Sequence, residues 1–138
     1  DDRYLVGVST RTNQAGADFL AKHVKEEDYD IEYIKIPDST LHLTTVCSSP
    51  RPGMIIAAEG HLTASQLEPL AEDLVWVPNS ESYAANTIGY KGDKVIVAGG
   101  FSVTRQNLLD EGFQITSIDM NPIMQADGSL TCLSVFTQ

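Results

Sequence analysis

Long apolar runs, clustered positive charge and a cysteine framework are all missing from this 138-residue chain. No stretch approaches the ~20 apolar residues that a helix needs to cross a bilayer. The N-terminus has no basic segment followed by an apolar one, so neither a membrane span nor a secretory leader is expected. Nine Lys and Arg against nineteen Asp and Glu leave a formal charge of −10. Nucleic-acid backbones are bound by clustered cations, so no nucleic-acid partner is expected. The acidic balance is compatible with a cationic small molecule, although its ordinary role is to keep a protein soluble. Cys47 and Cys132 lie far apart and form neither a CxxC nor a Cys/His ligand spacing, so no metal site is expected. Two thiols without a leader read as reduced, cytoplasmic residues.

What is present is an ordinary globular composition, 42% hydrophobic and 20% charged. The length suits a single domain, 1–138, around one core. The informative feature is an internal repeat. An alternating or apolar run from His42 to Cys47 is followed by the turn Ser49-Pro50-Arg51-Pro52-Gly53 and the apolar run Met54–Ala58. Thr63 is suited to cap a helix through Leu67 and Ala71, with Leu74–Val77 as the next strand. The order then recurs: a strand over Asn86–Tyr90, a hairpin turn at Lys91–Lys94, and a strand over Val95–Ala98. A helix capped by Ser102 and stopped at Gly112 leads into a strand over Phe113–Ile118.

Residues 1–40 read as the tail of the same unit. Tyr4–Val8 is a strand, and Asn13–Val24 a helix with Ala17, Leu20, Ala21 and Val24 on one face. Ile31–Ile36 alternates as a strand. The predicted organisation is therefore an α/β chain of ββαβ modules: a part-module 1–40, modules 41–84 and 85–130, and a closing strand 131–138.

His42, Asn86 and Cys132 all stand at the entry to a module's first strand, at spacings of 44 and 46. If modules turn about a pseudo-rotation axis, equivalent positions converge, and two reactive side chains distant in sequence can share one site. Taken singly, each residue has a plainer reading. A cysteine in Thr-Cys-Leu-Ser-Val-Phe reads as a small buried hydrophobe, and His42 on an apolar strand as a hydrogen-bonded structural histidine. Arg11 can simply decorate a strand-to-helix turn, and Asp127-Gly128 is a turn signal. His23 and His61 read as solvated, and Cys47, five residues after His42, as packing on the opposite strand face.

Four segments change the weight of these readings: Val6–Gln14, Leu41–Thr45, Ala84–Asn86 and Asp127–Ser134. In this order and spacing they resemble the dimethylargininase family (dimethylarginine dimethylaminohydrolases) of the guanidine-modifying pentein superfamily. The resemblance implies a pentein-type α/β propeller, of which this chain would hold about half of a five-module ring. It also implies hydrolysis of N-methylated arginine to citrulline and a methylamine. By position, Cys132 matches the nucleophile and His42 the acid–base histidine. Arg11 matches the residue that grips the substrate carboxylate, and the Ala126 backbone carbonyl the acceptor for its α-ammonium. No cofactor is implied, and the partner is a small-molecule guanidine.

The implied chemistry is coherent. Resonance makes a guanidinium carbon a poor electrophile, so a thiolate beside a cationic substrate is an apt nucleophile. The departing amine must be protonated, which a histidine delivers before activating water against the covalent thiouronium. The family's guanidinium-clasping acids and the carboxylate that orients its histidine belong to its upstream half; Asp1 and Asp2 are not assigned that role. The expectation is of a fragment or separately numbered part of a longer enzyme, completed by the N-terminal half or another chain. Arginine deimination, amidino transfer within the same superfamily, and a silent assembly partner are the alternatives.

Overall fold

The computed structural model describes residues 3–135, and they fall into two compact units that divide between Leu43 and Thr44. The first is a β-α-β element: β1 (Arg3–Val8), α1 (Gln14–Lys25) and β2 (Asp30–Lys35), with the two strands parallel and Arg3 in register with Asp30. Asn13 starts the helix by accepting the Gly16 N–H at 2.9 Å, which satisfies one of the donors every helix N-terminus leaves open. Lys22 and Lys25 lie in its last turn, where positive charge complements the helix dipole. Ala17 and Ala21 are buried as the periodicity predicts, but Leu20 is 44% exposed, so the buried stripe is narrower than expected.

The second unit repeats one pattern twice. β3 (Cys47–Ser48) runs antiparallel to β4 (Met54–Ala58), which pairs in parallel with β5 (Asp73–Val77) across α2 (Ala64–Leu67) and a 3₁₀ turn, Glu68–Leu70. β6 (Ile88–Tyr90), β7 (Lys94–Ala98), α3 (Ser102–Asp110) and β8 (Gln114–Ile118) reproduce the same order, pairing and sense. The predicted ββαβ repeat is thus observed. β4 is buried along its whole length, and Val95, Val97, Val77, Leu67 and Leu108 complete the apolar interior. Continuous apolar strands of this kind fit positions covered on both faces.

Three local expectations need correction. The run from His42 to Cys47 is not a strand: Leu43–Thr45 forms a 3₁₀ turn, and pairing begins only at Cys47. Asn86 likewise precedes β6, following a long 3₁₀ segment, Asn79–Ala85. Ser102 is the first residue of α3 and not its cap; that role falls to Glu81, from another element. Its carboxylate accepts the Val103 N–H at 3.1 Å, the Thr104 N–H at 2.7 Å and the Thr104 hydroxyl at 2.8 Å. Burial alone would raise the Glu81 pKa, but these hydrogen bonds and one from Ser102 outweigh it and hold the carboxyl below its ordinary value.

The two modules are stitched along their seam. Ser48 Oγ donates to the Ala85 carbonyl at 2.6 Å, Asn107 Nδ2 donates to the Trp76 carbonyl at 3.1 Å, and Arg51 lies within 3.7 Å of Asp73, Asp93 and Glu111 carboxylates. Gly89 sits so close to Pro50 that any Cβ there would land on the Pro50 carbonyl oxygen. A short helix, α4 (Asn121–Met124), was not anticipated, and it leads into the 3₁₀ turn Thr131–Leu133. That turn stands where the closing strand was expected to open; residues 136–138 of that strand lie outside the described residues.

Candidate active site

Arg11 and His42 belong to the first unit, Ala126 and Cys132 to the second. In the first unit, β1 ends in a tight turn closed by the Ser9 N–H to Thr12 carbonyl bond at 2.9 Å. Ser9 Oγ accepts the Arg11 N–H at 3.0 Å and donates to the Leu41 carbonyl at 3.3 Å. One serine thereby ties the turn carrying Arg11 to the segment carrying His42. That segment lies directly on β1, because a Cβ at Gly7 would come within 2.7 Å of Leu43 Cβ. Arg11 and His42 are both exposed.

In the second unit, the loop around Cys132 is held from several directions. After α4, Asp127 takes a left-handed backbone (φ 57°), and the Gly128 N–H returns to the Ile123 carbonyl at 2.9 Å. Glycine is required at 128 for space, since a Cβ would meet the Ile123 side chain at 2.7 Å. Ala126 is exposed on this same turn. Tyr83 Oη donates to the Gly128 carbonyl at 2.7 Å, and Ser134 Oγ to the Leu130 carbonyl at 2.7 Å.

Asn86 is the hub. Buried to 1% exposure, it accepts the Thr131 N–H at 3.1 Å and donates to Thr131 Oγ1 at 2.7 Å. The same amide nitrogen also donates to the Thr44 carbonyl. Within this unit, Asn86 thereby joins Thr44 to Thr131. The sequence marks Asn86 by its place in the repeat and in the Ala84–Asn86 segment; its burial and bonding emerge from the fold.

Cys132 itself is exposed on its 3₁₀ turn, and its Sγ lies 3.1 Å from the hydroxyl of Ser129, which is 3% exposed. The Tyr83 phenol is pushed up, first by burial and then by the charge of Cys132. Cys47 differs in every respect. It is buried in β3 opposite Ala57, and burial pushes its thiol up to about 12. It is packing, as expected, although through burial and not through strand alternation from His42. A thiolate is the nucleophilic form, and the buried Cys47 is held away from it, whereas Cys132 is the solvent-accessible thiol. Among the described residues no group of His, Cys, Asp and Glu is disposed to hold a metal ion, and no helix is long and apolar enough to cross a membrane.

No protein-family model matches the chain. Among curated proteins, the N(G),N(G)-dimethylarginine dimethylaminohydrolase of Pseudomonas aeruginosa is 25% identical over 134 residues, covering 97% of this chain and 51% of that protein. The protein of the same name from Streptomyces coelicolor is 27% identical over 135 residues, covering 97% of this chain and 50% of the relative. A solved structure of the Pseudomonas aeruginosa enzyme in complex with citrulline superposes with a TM-score of 0.86 at 23% identity, over 96% of this chain and 50% of that one. An amidinotransferase from Microseira wollei superposes at 0.83 with 19% identity, covering 99% and 44%. The chain spans about half the length of the curated relatives it matches.

Proposed function

We propose that this chain, whose resemblance to the dimethylargininase family of the pentein superfamily extends over nearly its whole length, carries the nucleophile-bearing half of an enzyme that hydrolyses N-methylated arginine. The observation that carries the reading is the exposed Cys132 on a turn fastened by Asn86, in a chain whose other thiol is buried.

In this reading Cys132 attacks the guanidinium carbon as a thiolate, forming a carbon–sulfur bond and a tetrahedral adduct. His42 protonates the departing methylamine, leaving a covalent thiouronium on sulfur. The imidazole, neutral again, takes a proton from water; the resulting hydroxide adds to the thiouronium carbon, and the sulfur leaves with citrulline as product. Arg11 grips the substrate carboxylate, and its forked donors suit a bidentate carboxylate contact. The Ala126 carbonyl accepts from the α-ammonium. The partner completing the five-module ring is the N-terminal half or another chain, so this chain corresponds to the C-terminal half. Free thiols suit a reducing, cytoplasmic setting.

The test is citrulline release from dimethylarginine and from arginine in parallel, on the purified protein and on Cys132→Ser and His42→Ala variants. Release from dimethylarginine that both substitutions abolish is the expected result. Faster release from free arginine would make the reaction a deimination. No release from either, with Cys132 alkylated no faster than Cys47, would leave an assembly role.

A further inference from the structure

Two hydroxyls approach the Cys132 loop, and they are committed differently. Tyr83 Oη spends its proton on the Gly128 carbonyl at 2.7 Å. Ser129 is buried three residues before the cysteine, on the same loop, and the partner its hydroxyl finds is the Cys132 sulfur at 3.1 Å. The loop holds that pairing in place: Asn86 clamps Thr131 between the two residues, and Ser134 Oγ fixes the Leu130 carbonyl. A neutral thiol can donate to the serine oxygen, but once the proton has left the sulfur the only proton available between them is the serine's. The contact then becomes a charge-assisted hydrogen bond, which is the stronger kind.

We infer that Ser129 is a hydrogen-bond donor to the Cys132 thiolate and sets the balance between how much thiolate is present and how reactive it is. This deepens the reading of Cys132 as nucleophile and rests on it. The proton stays on the serine throughout; the thiol proton departs to solvent or to the acid–base histidine, and no covalent bond to Ser129 forms. A donor that stabilises the thiolate raises its population near neutral pH, yet lowers the intrinsic nucleophilicity of each thiolate, by a factor that grows roughly as the 0.4–0.5 power of the change in acidity. When alkylation of Cys132 is followed against pH, Tyr83 is a titratable group of this unit on which the Cys132 charge acts, and His42 is the proposed acid–base partner of the cysteine.

The experiment is the pH–rate profile of iodoacetamide alkylation at Cys132 in the purified Cys47→Ala protein, compared with the same protein carrying Ser129→Ala. Loss of a hydrogen bond to a charged group is expected to move the midpoint up by about one pH unit, a tenfold loss of thiolate at acid and neutral pH. The rise in intrinsic nucleophilicity, about threefold, offsets part of this. The two profiles therefore cross: Ser129→Ala reacts about three- to fourfold more slowly below the midpoint and about threefold faster on the alkaline plateau. A change in packing alone does not produce that crossing. Ser129→Thr, which keeps the hydroxyl, is expected to stay within about twofold of the parent at every pH. Should melting show Ser129→Ala unfolded, Ser129→Gly carries the same prediction. Superimposable profiles, or a threonine variant that follows the alanine one, overturn the inference while leaving Cys132 a nucleophile. If the unmodified protein alkylates Cys132 no faster than Cys47, the reading of the site itself fails, and this inference with it.

Discussion

Asn86 makes the most exacting test of how the cysteine loop is built. Replacing it with alanine removes the partner of three groups at once: the Thr131 N–H, the Thr131 hydroxyl and the Thr44 carbonyl. A buried polar group left unsatisfied costs about 1–3 kcal/mol. Here Asn86 is buried, but Thr131 is half-buried and Thr44 exposed, so water reaches part of what is vacated. The lower end of the range applies to each group, which sums to about 3 kcal/mol. With a urea dependence of about 1.5 kcal/mol per molar, the unfolding midpoint falls by about 2 M. Asn107→Ala is the internal standard, since that amide makes one comparable bond, to the Trp76 carbonyl at 3.1 Å. Its expected cost is about 1 kcal/mol. Equilibrium urea unfolding followed by tryptophan fluorescence measures both. An Asn86→Ala midpoint no lower than that of Asn107→Ala would refute the idea that one buried amide joins Thr44 to Thr131.

Three further predictions rest on other parts of the structure. Glu81 has a lowered pKa in the fold, so its contribution to stability is present above the ordinary carboxyl pKa and is lost as pH falls through the folded value. Glu81→Gln should therefore be less stable at pH 7, by about 1 kcal/mol for loss of a helix cap, and converge on the parent in acid; a gap in melting temperature that is constant with pH would contradict this. Cys47 keeps its proton to about 12 in the folded state. Unfolding then releases a proton at pH above about 8.5, so stability should decline as pH rises from there towards 12, and Cys47→Ala should flatten that decline in denaturant titrations. Ellman's reagent is also expected to titrate one thiol in the native protein and two in urea. Gly89→Ala forces a methyl onto the Pro50 carbonyl, whereas a Cβ at Gly92 meets nothing within 4 Å. The first should cost more than about 3 kcal/mol, at or beyond the upper range for overpacking; the second should be milder, limited to the strain of its positive φ (84°). Equal losses at the two positions would show that the Pro50 contact is not limiting.

Regular elements with a strong period were legible because local physics decides them. Met54–Ala58 is apolar throughout and becomes a strand buried throughout, and Gly112 terminates α3 with a positive φ of 85°. Expectations failed where a distant residue supplies the deciding interaction. Ser102 has the chemistry of a cap, but the Glu81 carboxylate occupies the three donors at that helix start. His42–Cys47 reads as the alternating or apolar opening of a strand, yet the chain there turns at Leu43–Thr45 before it pairs. A period-two pattern reports which faces a residue can show, not whether a partner strand is present.

The same division runs through the candidate site. From the sequence alone come the ββαβ repeat, the singling out of Cys132 over Cys47, and the family resemblance that gives His42, Arg11 and Ala126 their proposed roles. The repeat rests on spacing and residue type, which are properties of the chain read in order, and the proposed roles are what the resemblance implies. Only the tertiary structure decided that Cys47 is sealed and Cys132 open, that Asn86 reaches both Thr44 and Thr131, and that the Ser129 hydroxyl meets the Cys132 sulfur. Burial and hydrogen bonding belong to pairs of atoms brought together by folding, often from residues more than forty apart, and no local pattern encodes which pairs those are.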